Sequence, residues 1–309
     1  MKIKTLIIGV GKIGFDYDYK KNFNLSHFKS FKENKNFKII GISDTNLKKK
    51  NFFIKKKIPF FFNFKEAIKK LNPSLVVIST PTSSHFEILK YLSGNKNIKL
   101  ILCEKPLSNN LTQCKKIKRL KNSKKIFVNY MRSSDNILES KIVKKLNKKN
   151  QLLIDIFYKG SLLNNACHYI QLLNKYFKDY KSIKNIKKFN NDQFDFDINY
   201  GAKIKARFTS SSSRNLTLDS MRFMDKNNLY HFDNGGHLIY NFTNINNPVY
   251  SLKNYFKLKK TLKNKFYENS QKYVVKDILN YFLNKKHNLC NLTEAIKVHE
   301  IINTIKNEK

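Results

Sequence analysis

Six residues near the start of the chain, Gly9-Val10-Gly11-Lys12-Ile13-Gly14, place glycine at the first, third and sixth positions. Glycines so spaced let the backbone turn tightly and approach a pyrophosphate, which then lies on the N–H groups opening a helix. Glycine turns also occur for packing alone, so the motif gains weight from its context, directly after the apolar run IKTLII. Asp44 follows Gly14 by 30 residues (44 − 14) and ends a second apolar run, FKIIGIS. A carboxylate there can bind the adenosine ribose hydroxyls and repel a 2′-phosphate, which favours NAD. A plain turn aspartate is the other reading, and Lys48 to Lys50 leave NADP open. The spacing exceeds the usual 20 or so residues, and DYDYKKNFNLS reads as a loop insertion that accounts for it. Thr80-Pro81-Thr82-Ser83-Ser84-His85 and Cys103-Glu104-Lys105-Pro106 each follow an apolar run. Position therefore groups Thr80, Pro81 and Glu104 with the cofactor side. His85 reads either as a cofactor neighbour or as an ordinary first-turn helix residue. Beside a nicotinamide, Lys105 could donate to a substrate oxygen, with a pKa lowered by burial and by other cations. Pro106 restrains the backbone there, through a trans or a cis bond.

The elements that must carry these residues alternate. Strands are predicted at 3–8, 37–43, 74–80, 99–103 and 125–129, with helices at about 64–71, 84–93 and 109–121. Their apolar runs are continuous, as in a parallel sheet covered on both faces. Beyond residue 130 the pattern changes. A helix over about 134–149, a strand at 151–158 and a helix over about 164–177 precede a run of strands between about 183 and 242. That run comprises SIKNIKKF, FDFDINY, AKIKARFTS, NLTLDSMRFM and LYHFD, with turns at Asp225–Asn228 and Asn234–Gly236. Helices over about 270–285 and 292–306 close the chain. The expected fold class is α/β: an N-terminal Rossmann doubly wound parallel sheet, residues 1–130, plus a C-terminal α+β domain, 131–309, with an open, mainly antiparallel sheet.

Composition bounds the rest. The 309 residues suit two domains, and 41% hydrophobic content with 25 Phe and 16 Tyr can fill a large core. No apolar stretch reaches the ~18 residues of a membrane span, and no signal peptide is expected. The four cysteines form no CxxC pair and have no histidine at zinc spacing, so neither disulfides nor a metal site is expected. Reduced thiols in a cytoplasmic protein are the simplest reading. The net charge, 61 − 22 = +39, would ordinarily suggest nucleic acid. Here lysine is spread through every segment and accompanied by Asn, Ile, Phe and Tyr. These are residues of A/T-rich codons, so base composition explains the charge and nucleic acid is not the expected partner.

GxGxxG, the Asp-terminated strand, TPTSSH, EKP and VNYMRSSD together resemble the glucose–fructose oxidoreductase, inositol dehydrogenase and MocA family, densely over residues 1–132. The resemblance implies an NAD(P)-dependent oxidoreductase that moves a hydride between nicotinamide and a carbinol carbon of a sugar. It makes Lys105 catalytic. It continues in KGSLLNNACHYIQLL, where His168 matches the histidine that works with that lysine in proton transfer. The family's aspartate is Asn164 here, and Gln171 stands where an aspartate is common; an amide cannot take up a proton. By the same resemblance Arg132, Asn164 and Asn165 contact substrate, against the plainer readings of a surface salt bridge for Arg132 and of helix capping for the asparagines. The variant helix is similar to that of relatives in surface-glycan biosynthesis, which implies a nucleotide-linked or amino sugar. A homo-oligomer is implied as well. Two alternatives differ in outcome: an enzyme with retained NAD that performs no net redox, or a cofactor-binding sensor or scaffold without turnover, which Asn164 keeps open.

Overall fold

The apolar runs of the first 130 residues become strands β1 (Ile3–Ile8), β2 (Phe37–Ser43), β3 (Phe60–Phe61), β4 (Leu75–Ile78), β5 (Leu100–Glu104) and β6 (Ile126–Asn129). Between them run helices α1 (His27–Glu33), α2 (Lys50–Lys55), α3 (Phe64–Leu71), α4 (His85–Ser93) and α5 (Leu111–Lys118). This is a computed structural model, and it describes residues 2–146, 150–211, 219–249 and 254–308. Local chemistry sets the helix ends. Asn63 and Asn110 accept backbone N–H groups of Lys65 and Gln113 as N-caps, and left-handed Asn72 stops α3 just before Pro73. The insertion ahead of α1 is closed by one buried carboxylate. Asp18 accepts from the Leu25 and Ser26 backbone N–H groups at 2.6 and 2.8 Å and from the Ser26 hydroxyl at 2.5 Å.

The chain then forms β7 (Leu152–Lys159), α6 (Cys167–Phe177), β8 (Ser182–Lys188), β9 (Phe194–Asn199) and β10 (Ile204–Ser211). β11 (Ser220–Met224), β12 (Asn228–Asp233), β13 (Leu238–Asn246) and β14 (Asn254–Lys263) follow. Last come α7 (Ser270–Phe282), β15 (Cys290–Asn291) and α8 (Leu292–Asn307). No helix among the described residues is long and apolar enough to cross a membrane.

Two compact units result: Met1–Ser134 with Glu268–Glu300, and Asp135–Tyr267 with Ile301–Lys309. In the first, β6, β5, β4, β1, β2 and β3 lie side by side and parallel, and β15 pairs antiparallel at the β6 edge. Strand order reverses where β1 sits between β4 and β2, which opens a crevice at the carboxyl ends of those strands. The second unit's sheet runs β14-β13-β12-β11-β7-β10-β9-β8, antiparallel except for the β7–β10 pair. Residues alternate along β7: Leu152, Ile154, Ile156 and Tyr158 are buried, and Phe157 is exposed.

Three expectations need correction, and a fourth lies partly outside the described residues. The helix expected over 134–149 is a 3₁₀ turn at Met131–Ser134 and a π-helical turn at Leu138–Val143. There the Ser140 hydroxyl takes the Asn136 carbonyl that an α-helix would give to a backbone N–H, and residues 147–149 lie outside the described set. The strand run does not stop near 242 but continues through β13 and β14. Of the strand NLTLDSMRFM, residues 215–218 are outside the described set, and β11 covers its second half. Finally, residues 268–300 group with the first unit, not the second. The apolar face of α7 explains this: Val274, Val275 and Ile278 enter the core that holds Ile7, Phe31 and Leu102, while β15 covers an edge strand.

Candidate functional site

The crevice at the ends of β1, β2 and β4 is a cleft of about 520 Å³, and Gly9, Gly11, Asp44, Thr80 and Pro81 are among its walls. The three glycines of the motif do different work. Gly9 has φ +91°, and a Cβ there would lie 2.6 Å from the Ser79 carbonyl oxygen. At Gly14 a Cβ would lie 2.3 Å from the Gly9 carbonyl oxygen. Close backbone packing therefore requires both. No described atom comes within 4 Å of a Cβ built on Gly11. Nothing among the described residues demands glycine there, so the open space suits a ligand that must approach the backbone closely. Lys12 and Ile13 fall on the turn itself, outside the cleft wall.

Asp44 does more than end β2. Its Oδ2 accepts the Val10 N–H at 2.7 Å and its Oδ1 accepts the Asn46 N–H at 2.7 Å. The carboxylate thereby holds the glycine turn while facing the cleft. The Ser79 hydroxyl donates to the Gly9 carbonyl at 2.7 Å, and the Ser84 hydroxyl donates to Thr80 Oγ1 at 2.7 Å. Neither serine nor Val10 carries a side-chain signal that sequence reading could weigh. Lys49, inside a run of three lysines, also lines the cleft and bonds the Val10 carbonyl.

His85 is buried, with Nδ1 3.1 Å from the Pro106 carbonyl oxygen and Nε2 3.0 Å from that of Thr80. Burial lowers its pKa, although the carbonyls and Glu104 pull the other way. A neutral ring carries one N–H and donates to one of the two carbonyls. His85 thus braces the end of β4 against the segment after Lys105, a role between its two sequence readings. The Lys105–Pro106 bond is cis, and Lys105 is half-buried.

Glu104, grouped by position with the cofactor side, is buried. Its Oε1 lies 2.7 Å from His27 Nε2 and accepts the Asn129 amide at 2.6 Å. That amide also donates to Gln271 of α7 at 3.1 Å. Burial alone would raise the Glu104 carboxyl, but His27, Asn129 and the Lys105 ammonium hold it below its ordinary value. His27 and Asn129 had no distinguishing sequence signal: one opens a helix, the other ends a strand.

Arg132 is buried in the 3₁₀ turn after β6. In the second unit His168 is buried on α6 and Asn164 is exposed on the π-turn leading into it. The Ser161 hydroxyl caps that turn by accepting the Asn164 N–H at 3.1 Å, and the Asn165 amide donates to the Lys159 carbonyl. Asn165 therefore ties the turn back to the end of β7, a bond distinct from the helix capping done by Ser161. All four cysteines are buried free thiols, with burial raising Cys103 and Cys114 well above the ordinary thiol range.

A parallel sheet with a glycine turn after its first strand, a carboxylate ending the second and a crevice at the switch point defines a dinucleotide-binding Rossmann domain. Residues 3–130 match the model of GFO_IDH_MocA, the oxidoreductase family with an NAD-binding Rossmann fold. No curated protein matches the chain in sequence. Among solved structures it is similar to a dehydrogenase, MviM, of Clostridium difficile, at 16% identity over 99% of both chains with a TM-score of 0.77. The WlbA dehydrogenase of Bordetella pertussis, solved with NADH and UDP-GlcNAcA, is 13% identical over 98% of this chain and 94% of that one, TM-score 0.72. A super-repressor mutant of Gal80p from Saccharomyces cerevisiae is 12% identical over 99% and 95%, TM-score 0.74. At such identities the likeness is one of fold.

Proposed function

We propose that the chain is an NAD(P)-dependent sugar oxidoreductase acting on a CH–OH group, with a nucleotide-linked or amino sugar as substrate. The observation that carries the cofactor half is Gly11, a glycine that no described packing requires, on the wall of the cleft that Asp44 closes. When bound, the nicotinamide supplies or accepts the hydride. Backbone N–H groups of the glycine turn would hold the pyrophosphate, and Asp44 would orient the ribose. Lys105 would carry the hydroxyl proton, its ammonium kept on station by the strand end that Glu104, His27 and Asn129 anchor. His168 is proposed as its partner in proton transfer, and Arg132 and Asn164 as substrate contacts, by resemblance to the family's motifs.

The sugar class rests on the same resemblance and on the nucleotide sugar bound to WlbA, a protein of like fold. A cytoplasmic setting accords with four reduced cysteines, and a homo-oligomer with the family. A second reading, a cofactor-binding sensor without turnover, is favoured by Asn164 in the aspartate position and by the likeness to Gal80p.

Titration with NADH, read by nicotinamide fluorescence in a protein without Trp, tests the cofactor site. NADH formation from NAD with a panel of UDP-sugars, lost in Lys105→Ala and in His168→Ala, then tests turnover. Saturable binding with no turnover on any sugar would favour the sensor. Absence of binding in folded, cofactor-free protein would sink both readings.

A further inference from the structure

The wall of the cleft holds a cation beside its carboxylate. Lys49 Nζ lies 2.5 Å from the Val10 carbonyl oxygen, while Asp44 Oδ2 takes the N–H of the same residue. Lysine and aspartate thus grip the two polar ends of one backbone unit, and both line the cleft. Lys49 has a second partner, Asp16 Oδ2 at 2.5 Å, in the insertion after the glycine turn. That pair is open to water, with the two side chains 25% and 45% exposed, so it is weak and easily exchanged. Both Asp44 oxygens, by contrast, already accept backbone N–H groups, which stabilise the charge they would present to a ligand.

Asp44 stands where an adenosine ribose is recognised in this fold, and a neighbouring cation is what accommodates a 2′-phosphate. We propose that Lys49 is the specificity-determining residue for the cofactor. Parked on Asp16, it transfers to the 2′-phosphate of NADPH, so that the chain binds NADPH alongside NADH despite the aspartate at the end of β2. The proposal rests on the NAD(P) reading above and adds to it which cofactors are taken and by which side chain. Asp16 acts only through Lys49: it competes for the ammonium, and removing its charge frees the lysine.

The test is a pair of fluorescence titrations, NADH and NADPH, on the full chain and on Lys49→Met, Lys49→Arg, Asp16→Asn and the Asp16→Asn/Lys49→Met double variant. Wild type is expected to bind the two cofactors within about tenfold of each other, and Lys49→Met to raise the NADPH-to-NADH ratio of Kd by about tenfold. Lys49→Arg should restore the ratio, Asp16→Asn should lower it, and the double variant should match Lys49→Met alone, because Asp16 has no effect without its partner. NADPH binding should also weaken more steeply with salt than NADH binding. A ratio unmoved by Lys49→Met, or NADPH excluded from wild type that binds NADH, would overturn the assignment and leave the cofactor reading standing. Failure of both cofactors to bind would remove the cofactor reading itself, and the proposal with it.

Discussion

The two sheets of this molecule solve different problems. In the first unit both faces of the parallel sheet are covered, and the cleft-lining groups collect at the carboxyl ends of β1, β2 and β4. In the second, one face is packed and the other carries a row of charges running from strand to strand. Arg207 pairs in register with Asp197 and Asp155, and Asp155 with Arg222, which faces His231. The first arrangement concentrates tight backbone contacts where chemistry is expected. The second spreads its charges over a broad face, held loosely at exposed Arg207 and tightly at Asp197, which is buried and bonded by Lys205 and Asn185. Substitutions should therefore be costly at the strand ends of the first unit and cheap at the exposed positions on the outer face of the second.

The largest effect is expected within the glycine motif. Gly9→Ala drives a Cβ into the Ser79 backbone at a left-handed φ and should cost about 3 kcal/mol or more in denaturant unfolding. Gly11→Ala meets no described atom, so its stability should stay within about 1 kcal/mol of wild type, while NADH binding weakens at least tenfold by the ~1.4 kcal/mol such a loss represents. Equal destabilisation by the two would erase the distinction between packing and ligand glycines.

Next in size is an acid limb from His299, buried on α8, where burial lowers its pKa to about 4. A lowered folded pKa means that the unfolded chain binds the proton first. The histidine's contribution is then complete above pH ~6.5 and lost as pH falls toward 4, by on the order of 3 kcal/mol. Unfolding of His299→Leu followed across that range should show a flatter dependence. A slope identical to wild type would remove His299 as its source.

Glu104→Gln should cost about 1–3 kcal/mol, since His27 and Asn129 keep a poorer acceptor in a buried network. The carboxyl's pKa is held low, so its contribution is present above the unfolded value near 4.3 and fades below it; the variant should lack that fading. Arg207→Ala, by contrast, removes a side chain 62% exposed whose Nε is 3.6 Å from Asp197 and should change stability by less than about 1 kcal/mol. An Arg207 cost equal to that of Glu104→Gln would mean that the outer row is as tightly held as the buried network, and the contrast between the sheets would fail.

The parallel sheet was readable because its strands are continuous apolar runs ended by Gly, Asp, Thr or Glu, a purely local pattern. Helix 64–71 and the cleft-lining Gly9, Gly11, Asp44, Thr80 and Pro81 follow from the same signal. The ILESKIV segment misled because its apolar spacing is helical, whereas a serine hydroxyl competing for a carbonyl is settled by local geometry. β14 was hidden by alternation on a lysine-rich strand, whose partner β13 supplies the backbone bonds. His27 and Asn129 are ordinary residues in sequence, and the fold alone brings them to Glu104 from 77 and 25 positions away.

By itself, then, the amino-acid order determined the alternation of strand and helix, the glycine turn and the strand ends at which cleft-lining residues gather, because these depend on neighbours within a few positions. Tertiary structure alone decided that α7 returns to the first unit, that Glu104 is buried against His27, and that Lys49, of three adjacent lysines, is the one gripping Val10 beside Asp44. Those outcomes depend on which distant surfaces meet, and burial and hydrogen-bond satisfaction select among side chains that the sequence leaves equivalent.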